Sequence, residues 1–505
     1  MLRWLILGAC VLALACGDAG TPTGVGVPTN LLVLSGDTQT GTVGEPLPEP
    51  LVVSVTDTRG TGVAQVEVAF SVSEGEVALS AAADRAAGQA GSQVSDVTVW
   101  TDAQGRASVT WTLGTSAGEH TANASVTVLG SVTFTATARP GEPDTLEKVS
   151  GDDQVGLVGL YLPQALTVRI RDRFGNAVPG VSVAWSLTGV AGQIPDTIAT
   201  SSNGEAAAVA VLDEAGDYRV TAEIASVGTG TFTGTALDVA LAFSSSRDGI
   251  DNGDIYVTDV DGRAVARLTD GPGDDGRPAW SPDGSRIAFH RRHGLDPFDI
   301  YVMNSDGTDE RNLTNHPASD RWPTWSPDGS RIAFYTKPDG NWEIYVMNVA
   351  SGFVSNLSNH PSNDIYPAWS PDGSKIAFVT DRDGNGEIYV MNANGSGQTN
   401  LTNDAASDFD PAWSPDSKSI VFGTERDGNA EIYVMNADGT DPHNLTNHWA
   451  RDEIPAWSPD GLLIAFMSGR EDFLVEEVYI MNSDGTGLRN LTNSPGWDCF
   501  PAWKP

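Results

Sequence analysis

The chain has 505 residues, 66 of them acidic and 29 basic, for a formal net charge of −37. An acidic excess of this size keeps a protein soluble and argues against nucleic acid or anionic lipid as a partner, while it would attract cations or basic protein faces. Beyond the extreme N-terminus no stretch approaches the ~18 apolar residues of a spanning helix.

Residues 1–15 are predicted to be a lipoprotein signal peptide. Arg3 is the only charge, Trp4 to Ala15 is apolar, and Leu12-Ala13-Leu14-Ala15-Cys16 resembles a bacterial lipobox. Cys10 fits the consensus better, but cleavage there would leave an apolar core of about five residues, below the roughly 7–15 a signal needs. Cys16 is therefore the expected lipidation site, and acyl chains on it would hold the chain on a membrane surface. With Cys10 discarded and Cys16 acylated, Cys499 has no intrachain partner and is read as a buried, inert thiol.

Residues 16–27, rich in Gly, Pro and Thr, are read as a flexible tether. Two related units follow, 28–139 and 140–237. Ser35-Gly36-Asp37, Val43-Gly44 and Leu47-Pro48 recur 115 positions later; Thr101, Gly105 and Ala107 recur 99 positions later, at Thr200, Gly204 and Ala206. The first copy thus carries 16 extra residues, around Ala81 to Gln93, which read as a loop insertion. Alternating runs such as Val66 to Phe70 and Arg219 to Ile224 predict β-sandwiches. Both copies resemble the bacterial Ig-like domains of the Big-1, invasin type, which implies a stalk or spacer.

Residues 238–505 repeat one pattern. It begins with Pro-Ala-Trp-Ser-Pro-Asp-Gly-Ser and continues through Ile-Ala-Phe, a variable loop, Glu-Ile-Tyr-Val-Met-Asn, a second turn and Asn-Leu-Thr-Asn. Trp280, Trp325, Trp369, Trp413, Trp457 and Trp503 are 44 to 46 residues apart, the length of a four-stranded propeller blade. Pro367 to Ser370, Lys375 to Thr380, Glu387 to Met391 and Asn400 to Thr402 are the strands expected in one blade. The array starts at Leu241 without the Pro-Ala-Trp strand and stops just after it, so residues 501–504 are expected to close a ring of six blades. These repeats resemble the TolB-type propeller of WD40-like PD40 repeats. The resemblance implies an all-β ring on a partner-binding protein of the bacterial envelope, although TolB carries an α/β domain where this chain has the Ig-like units.

Propeller geometry puts the loop entering the first strand and the loop between the second and third strands on one face. The Ser-Pro-Asp-Gly and Asp-Gly turns share the other face and barely vary, so recognition is expected on the variable face. Asp275, Asp320, Asp364, Asp408, Asp452 and Asp498 stand three residues before the blade prolines and would ring the channel mouth, either to meet a ligand or to cap their own turns. The pairs that follow them differ in every blade. Arg321, Trp322, Tyr366 and Phe409 among them are the residue types of binding anchors.

No cofactor is expected. The loops Asp381 to Glu387 and Glu425 to Glu431 superficially resemble calcium loops, but they are seven residues long against the twelve of an EF-hand. A tight Asp-Gly-Asn hairpin explains them, and calcium is the one ion left open. His316, His360 and His448 fall in different blades and are read as exposed loop residues. No Gly-x-Ser-x-Gly, His-Glu-x-x-His or phosphate-binding loop occurs. The expectation is a non-catalytic, lipid-anchored envelope protein, on the periplasmic or surface side of the outer membrane, whose propeller binds an envelope or surface protein. The alternative is a glycan-binding or metal-dependent polysaccharide-degrading propeller.

Overall fold

The computed structural model describes residues 26–79, 95–249, 252–338, 340–472 and 475–505. The signal segment, Cys16 and the insertion around Ala81 to Gln93 lie outside them. Every regular element among the described residues is a β-strand, so the all-β class holds.

The first Ig-like unit packs a four-stranded sheet on a five-stranded one. Alternation fills the space between them: Leu51, Val53 and Val55 of the strand Leu51–Thr56 are fully buried, as are Trp111 of a neighbouring strand and Phe134 of the facing sheet. In the second unit Val168, Ile170, Val183, Trp185 and Phe232 fill the equivalent core. Among the described residues each unit has one parallel pairing, Gln39–Thr42 with Gly130–Arg139 and Gln154–Leu157 with Gly228–Leu237. The units meet where Asn176 accepts the Ala117 amide at 2.9 Å and donates to the Thr115 carbonyl at 2.7 Å. Apolar packing also continues into the propeller, with Leu157 in one cluster with Val239, Ala242 and Ile255.

The propeller comprises six four-stranded antiparallel sheets among the described residues. Five are formed from consecutive strands, as in Asp364–Trp369, Lys375–Thr380, Glu387–Asn392 and Thr399–Asn400. The sixth joins Leu241–Ser245, Asp254–Thr258 and Val265–Arg267 to Asp498–Trp503, which pairs Leu241 with Trp503 and shuts the ring. We number this blade first; the second to sixth begin at Asp274, Asp320, Asp364, Asp408 and Asp452.

The repeated residues follow from stacking blades face to face. The second strand of each blade is covered on both sides, so it is apolar without alternation, and Phe243, Phe289, Phe334, Phe378, Phe422 and Phe466 are all fully buried. The inner-strand tryptophans act as stitches. Trp280, Trp325, Trp413 and Trp503 each donate an indole N–H, at 3.0 to 3.2 Å, to the alanine carbonyl of the preceding inner strand. On the uniform face each Ser-Pro-Asp turn is closed by its own side chains, as where Ser281 donates to Asp283 at 2.6 Å. That bond and those from Ser285 hold the Asp283 carboxyl down at about 2.

The inner strands begin three residues earlier than the sequence pattern indicated, at the aspartates themselves. Each has a bulge just before its proline; in the third blade Arg321 pairs with Tyr335 and Thr324 with Ala333, so that one extra residue bows out. The proline has no N–H to give the ladder, which favours a bulge there.

Candidate functional site

The bulge sorts each inner-strand opening into three environments. The aspartate side chain turns into its blade, the next residue pairs with the second strand, and the third residue takes a left-handed conformation toward the central channel. The third residues are Arg277, Trp322, Tyr366, Asp410, Ile454 and Phe500, with φ between 52° and 59°. A left-handed non-glycine residue is uncommon, and a β-branched one such as Ile454 more so. Six in register follow the bulge that every inner strand carries before its proline, and backbone held in a sparsely populated region is a reason to look there for function.

The aspartates are not ligand groups of the channel mouth, which corrects the expectation for all six. Asp275, Asp320, Asp364, Asp408, Asp452 and Asp498 are each buried to within 1%. Their charge is met from inside the protein: Arg291 holds Asp275, Arg382 holds Asp364, Arg426 holds Asp408, Arg470 holds Asp452 and Arg247 holds Asp498. Nor do they cap their turns through the carboxylate. Instead their backbone amides reach the previous blade, as where Asp320 donates to the Phe298 carbonyl at 2.7 Å and Asp408 to that of Gly386 at 2.8 Å. The third blade departs from the rule. Pro338 stands where Arg382 and Arg426 stand in later blades, and among the described residues the one basic group in ion-pair range of Asp320 is the Nε2 of His316, 3.2 Å away. Burial pushes the Asp320 carboxyl up to about 6, against the opposing influence of Thr336, Thr314 and His316.

Phe409 is a second correction. It is the paired residue of its strand, set opposite Gly423, and packs into the core of the fourth and fifth blades rather than into the channel. A methyl group on Gly423 would lie 2.3 Å from its ring, so glycine there is what seats Phe409. Arg321, Trp322 and Tyr366, in contrast, converge on one cavity of about 490 Å³ that opens on the variable-loop face, beside the loop residues Asn252 and Trp497.

Sequence reasoning missed the cavity's centre. The Arg277 guanidinium lies between two rings, 2.9 Å from the Trp322 centroid and 3.3 Å from that of Phe500. Tyr366 stacks at 4.1 Å on Trp322, and Tyr335 meets Tyr366 edge-on at 5.7 Å. Burial lowers Arg277 to about 10, which still leaves it charged at neutral pH. Its Nη1 has no hydrogen-bond partner, nor has Oδ1 of Asp410, another third residue of the ring. His290 accepts the Trp322 amide at 3.4 Å. Burial, together with Arg277, Arg321 and Arg292, drives its imidazole well down, so it is neutral. Burial raises Asp410 to about 6 and lifts the Cys499 thiol to about 12, so the thiol stays protonated. The available signal was the second position after each aspartate, which a bulge would have singled out had the pair been split into its two members.

The acids of the candidate calcium loops are already engaged. Asp383 takes the Tyr389 hydroxyl and the Asn400 amide, and Glu387 takes the Thr402 hydroxyl at 2.6 Å. Among the described residues no group of three or more acidic, His or Cys side chains is placed to hold a metal ion. His360 and His448 each accept the amide two residues further on, at 3.1 and 3.2 Å, and so brace their loops.

The fold and this site define an all-β protein in which Ig-like sandwiches precede a propeller with one variable, aromatic-lined channel mouth. Comparison with protein families identifies the parts: a TolB beta propeller domain matches residues 311–408 and 398–473, and a bacterial Ig-like domain (group 1) matches residues 163–237. The chain therefore carries TolB-type PD40 repeats and a Big-1 Ig-like domain. No curated protein matches it. Among solved structures, TolB from Acinetobacter baumannii is 17% identical with a TM-score of 0.48, the match covering 72% of this chain and all of that one. A protein assigned as TolB from Agrobacterium tumefaciens is 22% identical with a TM-score of 0.42, covering 53% of this chain and 98% of its own. An oligogalacturonate lyase from Vibrio parahaemolyticus is 14% identical with a TM-score of 0.37, covering 50% and 74%.

Proposed function

We propose that this is a non-catalytic envelope protein whose propeller docks another protein through the channel mouth, with the Ig-like units as a stalk and Cys16 as the lipid anchor. The observation that carries the reading is the contrast between the faces. One bears the same self-satisfied Ser-Pro-Asp turn in blade after blade, whereas the other gathers Trp322, Tyr366, Phe500, Arg277 and Arg321 around a cavity. Aromatic and arginine side chains in a central, desolvated depression are the composition of a binding hot spot. The apolar packing between Leu157 and the first blade supports a stalk that carries the propeller as a continuous body.

The test is affinity capture from solubilised envelope with residues 17–505, comparing the wild type, Trp322→Ala with Tyr366→Ala, and Phe409→Ala. The expected result is a protein enriched by the wild type and by Phe409→Ala but lost from the double variant. Capture that survives the loss of both rings overturns the site.

A further inference from the structure

The channel mouth is divided by charge. Arg277, Arg321 and Arg292 crowd His290 on the side of the second and third blades, whereas on the side of the fifth and sixth Glu453 acts on both Asp410 and Glu476, and Arg277 attracts these two acids across the mouth. Arg292 is answered by Asp274 at 2.8 Å. Neither Arg277 nor Arg321 has a carboxylate in ion-pair range among the described residues; Arg321 donates to the Ser319 hydroxyl at 3.2 Å and lies 4.5 Å over Phe298. Two guanidinium groups without a direct ion pair on one rim, with Asp410 acting on Arg277 only from a distance, stand out in a chain with a net charge of −37.

Stacking fixes what Arg277 can do. Trp322 and Phe500, inclined at 58° to each other, enclose it from two sides, so its hydrogen bonding is confined to the N–H edge between them, where Nη1 is unpartnered. A guanidinium edge is a planar fork that matches a carboxylate, and a buried, unpaired donor is costly until it is matched. The acidic side restricts the match, because a ligand with charges spaced along its length would set the second against Asp410, Glu453 or Glu476. One negative charge fits and a polyanion does not.

We propose that the channel mouth receives a single carboxylate of the docked protein, an Asp or Glu side chain or the chain's C-terminal group, on the edge of Arg277 with Arg321 beside it. This rests on the docking function proposed above and names the chemistry of its anchor. Arg277 is the residue that contacts the carboxylate. Trp322 and Phe500 position it, and Gly276 leaves room for the neutral His290, whose Nε2 would lie 2.7 Å from any β-carbon there.

Calorimetric titration of residues 17–505 at low ionic strength tests this with four probes. N-acetylphenylalanine stands for a C-terminal carboxylate, N-acetylglutamate α-amide for a side chain, N-acetylphenylalaninamide for the uncharged control, and digalacturonate for a ligand with two spaced charges. The expected result is that at least one monocarboxylate binds at least ten-fold tighter than the control and than digalacturonate, and that Arg277→Gln abolishes the preference while the melting temperature is kept. Which monocarboxylate binds better identifies the source. The inference is overturned by equal binding of acid and amide to the wild type, by digalacturonate binding as tightly as either monocarboxylate, or by binding of none. The acid and amide comparison needs no variant, so misfolding cannot blur it. If these probes fail while capture still requires Trp322 and Tyr366, docking stands without a carboxylate anchor. Should the acid bind through Arg277 while capture ignores the two rings, it is the docking function that falls.

Discussion

Two rings of side chains lie two residues apart on the same six strands and do opposite things. The ring of first residues is chemically uniform, six aspartates, buried and in five blades held by arginine. The ring of third residues has six different side chains in strained backbone, and its two charged members each keep an atom unpaired. Uniformity goes with a role inside every blade, variety with a role at the one place where the blades meet. A repeat protein can afford a special residue only where its copies face a common space.

The sharpest way to break this comparison is to remove an arginine from each ring. Arg382→Met leaves the wholly buried Asp364 without its ion pair, and losing one partner of a buried pair destabilises by about 3–5 kcal/mol. Arg277→Gln removes stacking worth about 0.5–2 kcal/mol and the attraction to Asp410 across the channel, but it also relieves a desolvated charge that has no direct ion pair to break. Its stability should stay within about 1 kcal/mol of the wild type by this balance. Denaturant unfolding of both variants decides between them. If Arg277→Gln is the more damaging, the third-residue ring is structural as well.

Within the strand openings, adjacent residues separate the same two roles. Phe409 packs into its blades over Gly423, so Phe409→Ala should lower stability by about 2 kcal/mol, below the range for a fully buried phenylalanine, and leave partner capture intact. Trp322→Ala should weaken capture most. Equal effects of the two substitutions on capture would mean that the blade core, not the channel, sets the docking surface.

Much of the fold was legible because it is written many times. The 44-residue period, the non-alternating Ile-Ala-Phe strand and the two array ends that complement each other are each visible in the sequence and correspond to features of the ring. The site was half legible. Side-chain variety marked Trp322, Tyr366 and Arg321, but the direction each residue points depends on the bulge, which a proline's missing donor favours. Without it, Phe409 looked equivalent to Trp322, Arg277 was one of the variable pairs without being singled out as an anchor, and the aspartates were placed at the mouth. Repetition drew attention to those aspartates, yet a residue repeated in every blade more readily serves what every blade needs.

The third blade offers the subtlest test, because it has the buried acid without the arginine. Burial raises Asp320 to about 6 from an ordinary 3.8, and among the described residues the one basic group in ion-pair range is the His316 imidazole, 3.2 Å away. A carboxyl raised on folding favours the folded state while protonated, so its contribution is complete below about pH 4 and fades as the pH rises through about 6. Asp320→Asn mimics the neutral form at every pH. Between pH 4 and pH 7 the variant should lack the decline that Asp320 contributes, and at pH 7.5 it should be as stable as the wild type or up to about 1–2 kcal/mol more so. Asp364→Asn makes the opposite case, since it leaves Arg382 charged and nearly buried with no counter-ion, and it should destabilise at pH 7.5. Melting curves of both variants across this range separate an acid tolerated by its blade from one required by it. A loss of stability in Asp320→Asn at neutral pH would show that His316 serves the third blade as a full substitute for the missing arginine.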